Sequence, residues 1–215
     1  MKIKTCFIGF GKRVNLFYAP ILKKLKDNFD LCAFTKKHQS QVPEIKDKYK
    51  MVFSESADTL LKEFNPDLLI VSVPTLEVIN ILHKIENHNC VVVVDTPFFC
   101  SMNGLERLNL LVSEQWPFLP IEQFKKLLIP SGELGEVFYA ENESRTFDYH
   151  GIAQLRNYFQ ANKQISKITG SRLSRPEEEW QFGIVKNTDD TGFLYKFSYY
   201  VKKCPFRPHQ GLKVY

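Results

Sequence analysis

A short apolar strand that runs into a Gly-x-Gly turn and then straight into a helical pattern constrains a fold more than any other feature of this chain. Residues 3–15, Ile-Lys-Thr-Cys-Phe-Ile-Gly-Phe-Gly-Lys-Arg-Val-Asn, have that form. In such a unit Gly9 makes the tight turn after the strand, and Gly11 lets the backbone approach a pyrophosphate. The following helix N-terminus offers unpaired N–H groups and the positive end of its dipole. Phe10, Lys12 and Arg13 occupy the variable positions of the turn and are candidate cofactor contacts, while Val14 stands where the fingerprint has its third small residue.

The context supports a nucleotide reading. Further apolar runs follow at Leu31–Thr35, Met51–Phe53, Asp67–Val73 and Cys90–Asp95. They are continuous rather than alternating, as strands covered on both faces are, and the segments between them carry helical periodicity. Leu16, Ile21, Leu22 and Leu25 share one helical face, as do Leu60, Leu61 and Phe64, and then Val78, Ile81, Leu82 and Ile85. The fold class expected is α/β, an N-terminal Rossmann doubly wound parallel sheet, with ligands at the carboxyl ends of its strands. Those ends hold Val73-Pro74 and Asp95-Thr96-Pro97, so Val73, Pro74, Asp95 and Pro97 join the candidate cofactor residues.

The second strand ends in Phe34-Thr35-Lys36-Lys37-His38, without the acid that usually binds the ribose 2′-hydroxyl of NAD. A hydroxyl and two lysines at Thr35, Lys36 and Lys37 suit the 2′-phosphate of NADP, with NAD the second choice; the competing reading is a solvated basic turn.

The 215 residues can bury a full core, and 44% hydrophobic with 25% charged residues is ordinary for a globular protein. No apolar run has the length of a membrane span and Met1-Lys2-Ile3 leads into a strand, so a cytoplasmic protein without membrane contact is expected. Cys6, Cys32, Cys90, Cys100 and Cys204 are odd in number and lack Cys-x-x-Cys spacing, and read as free thiols rather than bridges or metal ligands. A net charge of +5 from scattered lysines argues against nucleic acid. Neither paired histidines of metal-ligand spacing nor a nucleophile-elbow pattern occurs. Glu177-Glu178-Glu179 reads as a solvated charge run in a loop.

Near Trp116 the pattern changes, which divides the chain into residues 1–118, a dinucleotide-binding domain, and 119–215, an abbreviated substrate or dimerisation domain. Ile121–Ile129 is helical and stops at Pro130-Ser131-Gly132; Glu136–Ser144, Trp180–Lys186 and Gly192–Val201 alternate as strands with two unlike faces do. A helix over Gly151–Gln160 lies between. The second domain is therefore a small α+β unit with an open, mostly antiparallel sheet.

The opening IGFGKRVNLFYAP, the strand end DLLIVSVPT, the segment VVVVDTPFF, the helix and turn FKKLLIPSGELGEV and the sequence His150-Gly-Ile-Ala-Gln-Leu-Arg together resemble, in order, the Gfo/Idh/MocA oxidoreductase family (glucose-fructose oxidoreductase, inositol dehydrogenase, rhizopine catabolism). The resemblance implies an NAD(P)-dependent reductase or dehydrogenase acting on a small molecule, with a dimer or a partner subunit formed through the second sheet. Departures bear on the chemistry. The family's fifth strand ends in Glu-Lys-Pro, whose lysine assists proton transfer, and here Thr96 takes that place; its hydroxyl donates one hydrogen bond but is no comparable acid. Between Leu111 and Pro120 a sixth strand is either abbreviated or lost. The family's Asp-x-x-x-His segment becomes Thr146-x-x-x-His150.

His150 is then the best-placed proton donor, with Tyr149 and Asp148 as neighbours able to orient or replace it; the alternative is that His150 only caps the helix that starts at Gly151. Two functions stay open: a working reductase without the lysine, and a catalytically degenerate nucleotide-binding or scaffolding subunit. The aromatic set Phe193, Tyr195, Phe197 and Tyr199, with Val137, Tyr139 and Glu141 beside it, and a chain end at Tyr215 that relatives pass, point to a partner, either a second copy or another subunit.

Overall fold

The computed structural model describes residues 2–98, 104–144, 148–158, 164–175, 178–200 and 210–214. The chain forms two compact units, Met1–Ser113 and Glu114–Tyr215. They divide ahead of the boundary expected after residue 118, because the 3-10 turn Trp116–Phe118 packs its Trp116 ring on His150, within the second unit.

In the first unit, strands β1 (Ile3–Ile8), β2 (Phe29–Phe34), β3 (Val52–Phe53), β4 (Leu68–Val71), β5 (Val91–Asp95) and β6 (Asn109–Ser113) form one parallel sheet in the order β3-β2-β1-β4-β5-β6. Helices α1 (Ala19–Lys24), α2 (Val42–Tyr49), α3 (Ala57–Phe64) and α4 (Thr75–Ile85) connect them. The uniform apolar runs follow from burial on both faces. Ile8, Val71, Val92 and Val94 pack with Leu60, Leu61, Val78, Leu82 and Ile85 on one side. On the other, Phe7, Ala33 and Ile70 pack with Val14, Leu22, Ile45 and Tyr49. Ser56 caps α3 by accepting from the Thr59 N–H at 2.9 Å, and Asn65 ends that helix in the left-handed region. The sixth strand is present at Asn109–Ser113, paired with β5 along its whole length, with Leu111 and Val112 exposed.

The first helix departs from its expected face. Of Leu16, Ile21, Leu22 and Leu25, only Leu22 is buried. Val14–Tyr18 is a π-helical segment, whose i to i+5 bonding advances the register by a residue, so Val14, Ala19 and Leu22 turn inward while Leu16, Ile21 and Leu25 turn out. The same shift delivers the Tyr18 hydroxyl to Asp95 and Ser113.

Cys6, Cys32 and Cys90 are buried free thiols, and a hydrogen bond with Cys32 together with burial pushes the Cys6 thiol well above the usual range. Cys100 and Cys204 lie outside the described residues. No helix among the described residues is long and apolar enough to cross a membrane.

In the second unit, β7 (Tyr139–Ser144), β8 (Ile165–Arg175), β9 (Glu178–Asn187), β10 (Gly192–Tyr200) and β11 (Gln210–Val214) form a sheet in the order β11-β7-β10-β9-β8, antiparallel except for the β7–β10 pair. Helices α5 (Pro120–Leu128) and α6 (Asp148–Tyr158) accompany it. β8 is an element that periodicity misses, since Ile165, Ile168 and Leu173 do not recur at intervals of two, and as an edge strand it is exposed along its described length. The charge run also differs from its expected loop: Glu178 and Glu179 open β9.

The aromatic side of β10 faces inward. Phe193 is buried with Ala140, Val185, Leu155 and Tyr158, and Tyr195 packs against that cluster with its ring over Gly183, where a Cβ would lie 2.0 Å from the ring. Because Phe193 pairs with Ala140, Tyr139 and Glu141 fall on the opposite face, with Leu194, Ile184 and Phe182. The expected grouping of Tyr195 with Tyr139 and Glu141 as one partner-seeking surface is therefore corrected; the side chains of Phe197 and Tyr199 lie outside the described residues.

Glu122, nearly fully buried on α5, accepts from Lys125 Nζ at 2.7 Å and from the Tyr158 hydroxyl. Burial first, and Glu122 second, push the Tyr158 phenol far above its usual range, so it stays a donor. Tyr158→Phe strands one carboxylate oxygen, and urea denaturation should show about 1–3 kcal/mol less stability.

Candidate functional site

The carboxyl ends of the first sheet's central strands are tied together at one glycine. The Gly9 N–H donates to the Phe34 carbonyl at 2.8 Å and the Ser72 N–H to the Ile8 carbonyl at 2.9 Å. Gly9 has φ +88°, and a Cβ there would lie 2.2 Å from the Ser72 carbonyl oxygen. Only glycine fits, for conformational and steric reasons together. Gly11 is different: a Cβ there would meet only His38 Nε2, at 3.9 Å, so its backbone is open on that side. The Asn15 N–H donates to the Gly11 carbonyl at 3.0 Å, which starts the helical path directly after the turn.

Around this turn lies a cavity of about 610 Å³ lined by Gly9, Phe10, Gly11, Lys12, Arg13, Thr35, Lys36, Lys37, His38, Ser72, Val73, Pro74 and Glu77. A second, of about 700 Å³, shares Gly9, Lys36, Val73 and Glu77 and is bounded by α3 and α4 residues including Asp58, Leu61, Asn80 and Ile81. The structure thus gathers most of the residues expected at the cofactor. Phe10 contributes backbone only, since its ring is buried against Phe7, Tyr49 and Phe53 at 5.6–6.0 Å between centroids. Thr35 is 2% exposed and its carbonyl accepts from the Gln39 side-chain amide, which leaves Lys36, Lys37 and His38 as the accessible basic set.

Asp95 and Pro97 do not line either cavity. The Asp95 carboxylate receives Arg13 Nε at 2.8 Å, the Tyr18 hydroxyl at 3.1 Å, the Thr96 N–H at 3.0 Å and Ser72 Oγ at 3.1 Å. Thr96 Oγ1 accepts from Arg13 Nη2 at 3.4 Å, and the Pro97 carbonyl accepts from Thr75 Oγ1 at 3.5 Å. Burial raises the Tyr18 phenol, partly offset by its bond with Ser113.

In the second unit, His150 is 7% exposed and sits inside the first turn of α6, which starts at Asp148, so it is not a cap ahead of the helix. Its Nδ1 lies 2.9 and 2.8 Å from the two carboxylate oxygens of Glu114, and the Trp116 ring is 5.5 Å away. A carboxylate on Nδ1 fixes the orientation of the imidazole, the arrangement a positioned proton-transfer group needs. Sequence reasoning missed Glu114: it is 36 residues away along the chain, and nothing in the spacing marks it. Tyr149 neighbours His150 on α6, with its side chain outside the described residues, and Thr146 is outside them altogether.

The strand order, the glycine turn and the cavities over it define a dinucleotide-binding Rossmann unit of the oxidoreductase type. Residues 3–116 match the family model described as an oxidoreductase family with an NAD-binding Rossmann fold, and the chain belongs to that family, Gfo/Idh/MocA. Comparison with curated protein sequences gives no match. Among solved structures, it is similar to GenD2 from gentamicin A biosynthesis in complex with NAD, at 15% identity and a TM-score of 0.79, over 99% of this chain and 69% of that one. Lactobacillus casei scyllo-inositol dehydrogenase with NAD(H) and scyllo-inositol gives 14% and 0.75, over 100% and 76%. Biliverdin reductase from Synechocystis sp. PCC 6803, in complex with biliverdin and NADP+, gives 11% and 0.71, over 94% and 74%. At these identities the likeness is one of fold.

The residues present fit a dinucleotide, since Gly9 has no room for a side chain and Gly11 leaves its backbone open beneath basic groups. Gly9→Ala should lower stability by about 1–3 kcal/mol in thermal or urea unfolding, from backbone strain and collision with Ser72. Gly11→Ala, with open space around it, should leave stability within about 0.5 kcal/mol and weaken dinucleotide binding measured by calorimetry.

Proposed function

We propose that the protein is a reductase or dehydrogenase that uses NADP(H) on a small carbonyl or imine substrate. The observation that carries the cofactor preference is the end of β2, where Lys36, Lys37 and His38 line the cavity beside Gly11 and the chain has no acid at the position that binds the 2′-hydroxyl of NAD. When bound, the nicotinamide supplies two-electron transfer. The chain's own part is to hold it: backbone N–H groups at the start of the helix take the pyrophosphate, Lys12 adds charge beside them, and Lys36 with Lys37 takes the 2′-phosphate.

His150, oriented by Glu114, is the proton donor in this reading, and Thr96 and Tyr149 are hydrogen-bonding groups of secondary weight. The family binds nicotinamide dinucleotides, and GenD2 was crystallised with NAD, so the 2′-phosphate preference rests on this chain's residues alone. The protein works as a homodimer or with a partner subunit through the open face of its second sheet, where Phe182 and Ile184 are exposed.

Titration calorimetry should show NADPH binding at least about tenfold tighter than NADH, with the preference lost in Lys36→Glu/Lys37→Glu. Equal affinities would remove it. Loss of NADPH absorbance across a panel of carbonyl and imine compounds tests turnover, and His150→Ala should slow it by about a hundredfold while leaving NADPH affinity alone. Tight binding with no turnover on any compound would favour a nucleotide-binding scaffolding subunit instead.

A further inference from the structure

The carboxyl end of β5 carries a polar cluster centred on a carboxylate that lines neither cavity. Asp95, with its side chain 11% exposed, spends its carboxylate on the Arg13 guanidinium, the Tyr18 hydroxyl, the Ser72 hydroxyl and the Thr96 N–H. A carboxylate so fully engaged is neither a free base nor a ligand. What it does is hold Arg13. Nε is fixed at 2.8 Å by Asp95, and Nη2 is directed to Thr96 Oγ1 at 3.4 Å. Tyr18, bridging Asp95 and Ser113, braces the carboxylate from the other side, at the place where the π-helical segment has shifted it.

Arg13 is not spent by these contacts. A guanidinium has more N–H donors than the two bonds use, its side chain is 33% exposed, and it also lines the cavity at the glycine turn. The strand order reverses between β1 and β4, and a dinucleotide straddles that crevice. With the adenosine end at the β2 side, beside Lys36 and Lys37, the reactive end lies toward β4 and β5, where Arg13 is held.

We propose that Arg13 is a catalytic residue of the redox step, a fixed cation that stabilises the negative charge developing on the substrate's oxygen or nitrogen, with Asp95, Tyr18 and Ser72 as positioning residues. This rests on the NADP(H) reading above. Bound NADPH would supply two electrons and a hydrogen, its C4–H bond breaking to leave NADP+ while a C–H bond forms at the carbonyl carbon and the π pair moves onto oxygen. Arg13 meets that charge without giving up a proton, and the proton arrives separately. A cation already compensated by Asp95 adds little to the holding of a permanently charged pyrophosphate. The same cation, oriented beforehand, needs no reorganisation when new charge appears, and such preorganised donors are worth most in the transition state.

Sulfite tests this without knowledge of the substrate, because it adds to C4 of oxidised nicotinamide, the reacting carbon, and leaves an anionic sulfonate there. NADP+ affinity is read first by calorimetry, then the adduct's formation constant by absorbance. Arg13→Met should weaken the adduct by about a hundredfold, on the scale of losing one oxyanion donor, with NADP+ affinity unchanged and Arg13→Lys between the two. If Arg13→Met fails to fold with Asp95 left unpaired, Arg13→Met/Asp95→Asn removes the stranded charge and carries the same expectation. Equal adduct constants in wild type and variant overturn the proposal. So does a loss of NADP+ affinity with an unchanged adduct constant, which makes Arg13 a pyrophosphate contact. If wild type binds neither NADP+ nor NAD+, the cofactor reading has failed and this proposal falls with it, a result seen at the calorimetry step before sulfite is added.

Discussion

The approach of Gly9 to the end of β4 is the constraint on which the rest of the first unit depends. A Cβ on Gly9 would lie only 2.2 Å from the Ser72 carbonyl oxygen, so the turn after β1 packs directly on the backbone that follows β4. That closeness brings the helix start after Gly11 over the point where the strand order reverses, and opens the crevice beside β2. It also places Ser72 where its hydroxyl reaches Asp95 on the next strand. One residue without a side chain thus determines both where the helix start lies and how the end of β5 is braced.

Much of this was legible in the chain because it depends on local rules. Continuous β-branched runs such as VVVVD have no polar face to expose, and Gly-x-Gly after a strand has few alternatives that satisfy both sterics and helix-start donors. The readings that changed involve contacts remote in sequence or a break in periodicity. Leu16, Ile21 and Leu25 fit a regular helix, and only the π-helical segment at Val14–Tyr18 turns them outward. Phe10 looks like a ligand contact in a linear motif; the buried rings of Phe7, Tyr49 and Phe53 claim it in three dimensions.

The second unit was harder to read because its sheet is mixed and one edge strand is polar. Alternation correctly separated Phe193 from Leu194, yet which side met the helix depended on the pairing of Phe193 with Ala140, a register that no single strand contains. The buried pairs at Glu114–His150 and Glu122–Tyr158 each span 36 residues. Both put a carboxylate from the start of the unit against a ring on α6, so the helix is held by polar contacts at both ends and by Leu155 between. Buried carboxylates left without such partners would cost several kcal/mol, which is reason enough for the unit to keep them paired.

The polar clusters of the two units differ in kind. At the end of β5 the ionised groups are committed to one another, and what remains is an oriented charge, since Asp95 is saturated and burial keeps Tyr18 in its neutral form. The imidazole–carboxylate pair, by contrast, is the arrangement suited to moving a proton. A strand end whose carboxylate is fully hydrogen-bonded is therefore no argument against catalysis. It shows that the charge there is fixed in advance, by bonds that orient the Arg13 guanidinium within the first unit itself.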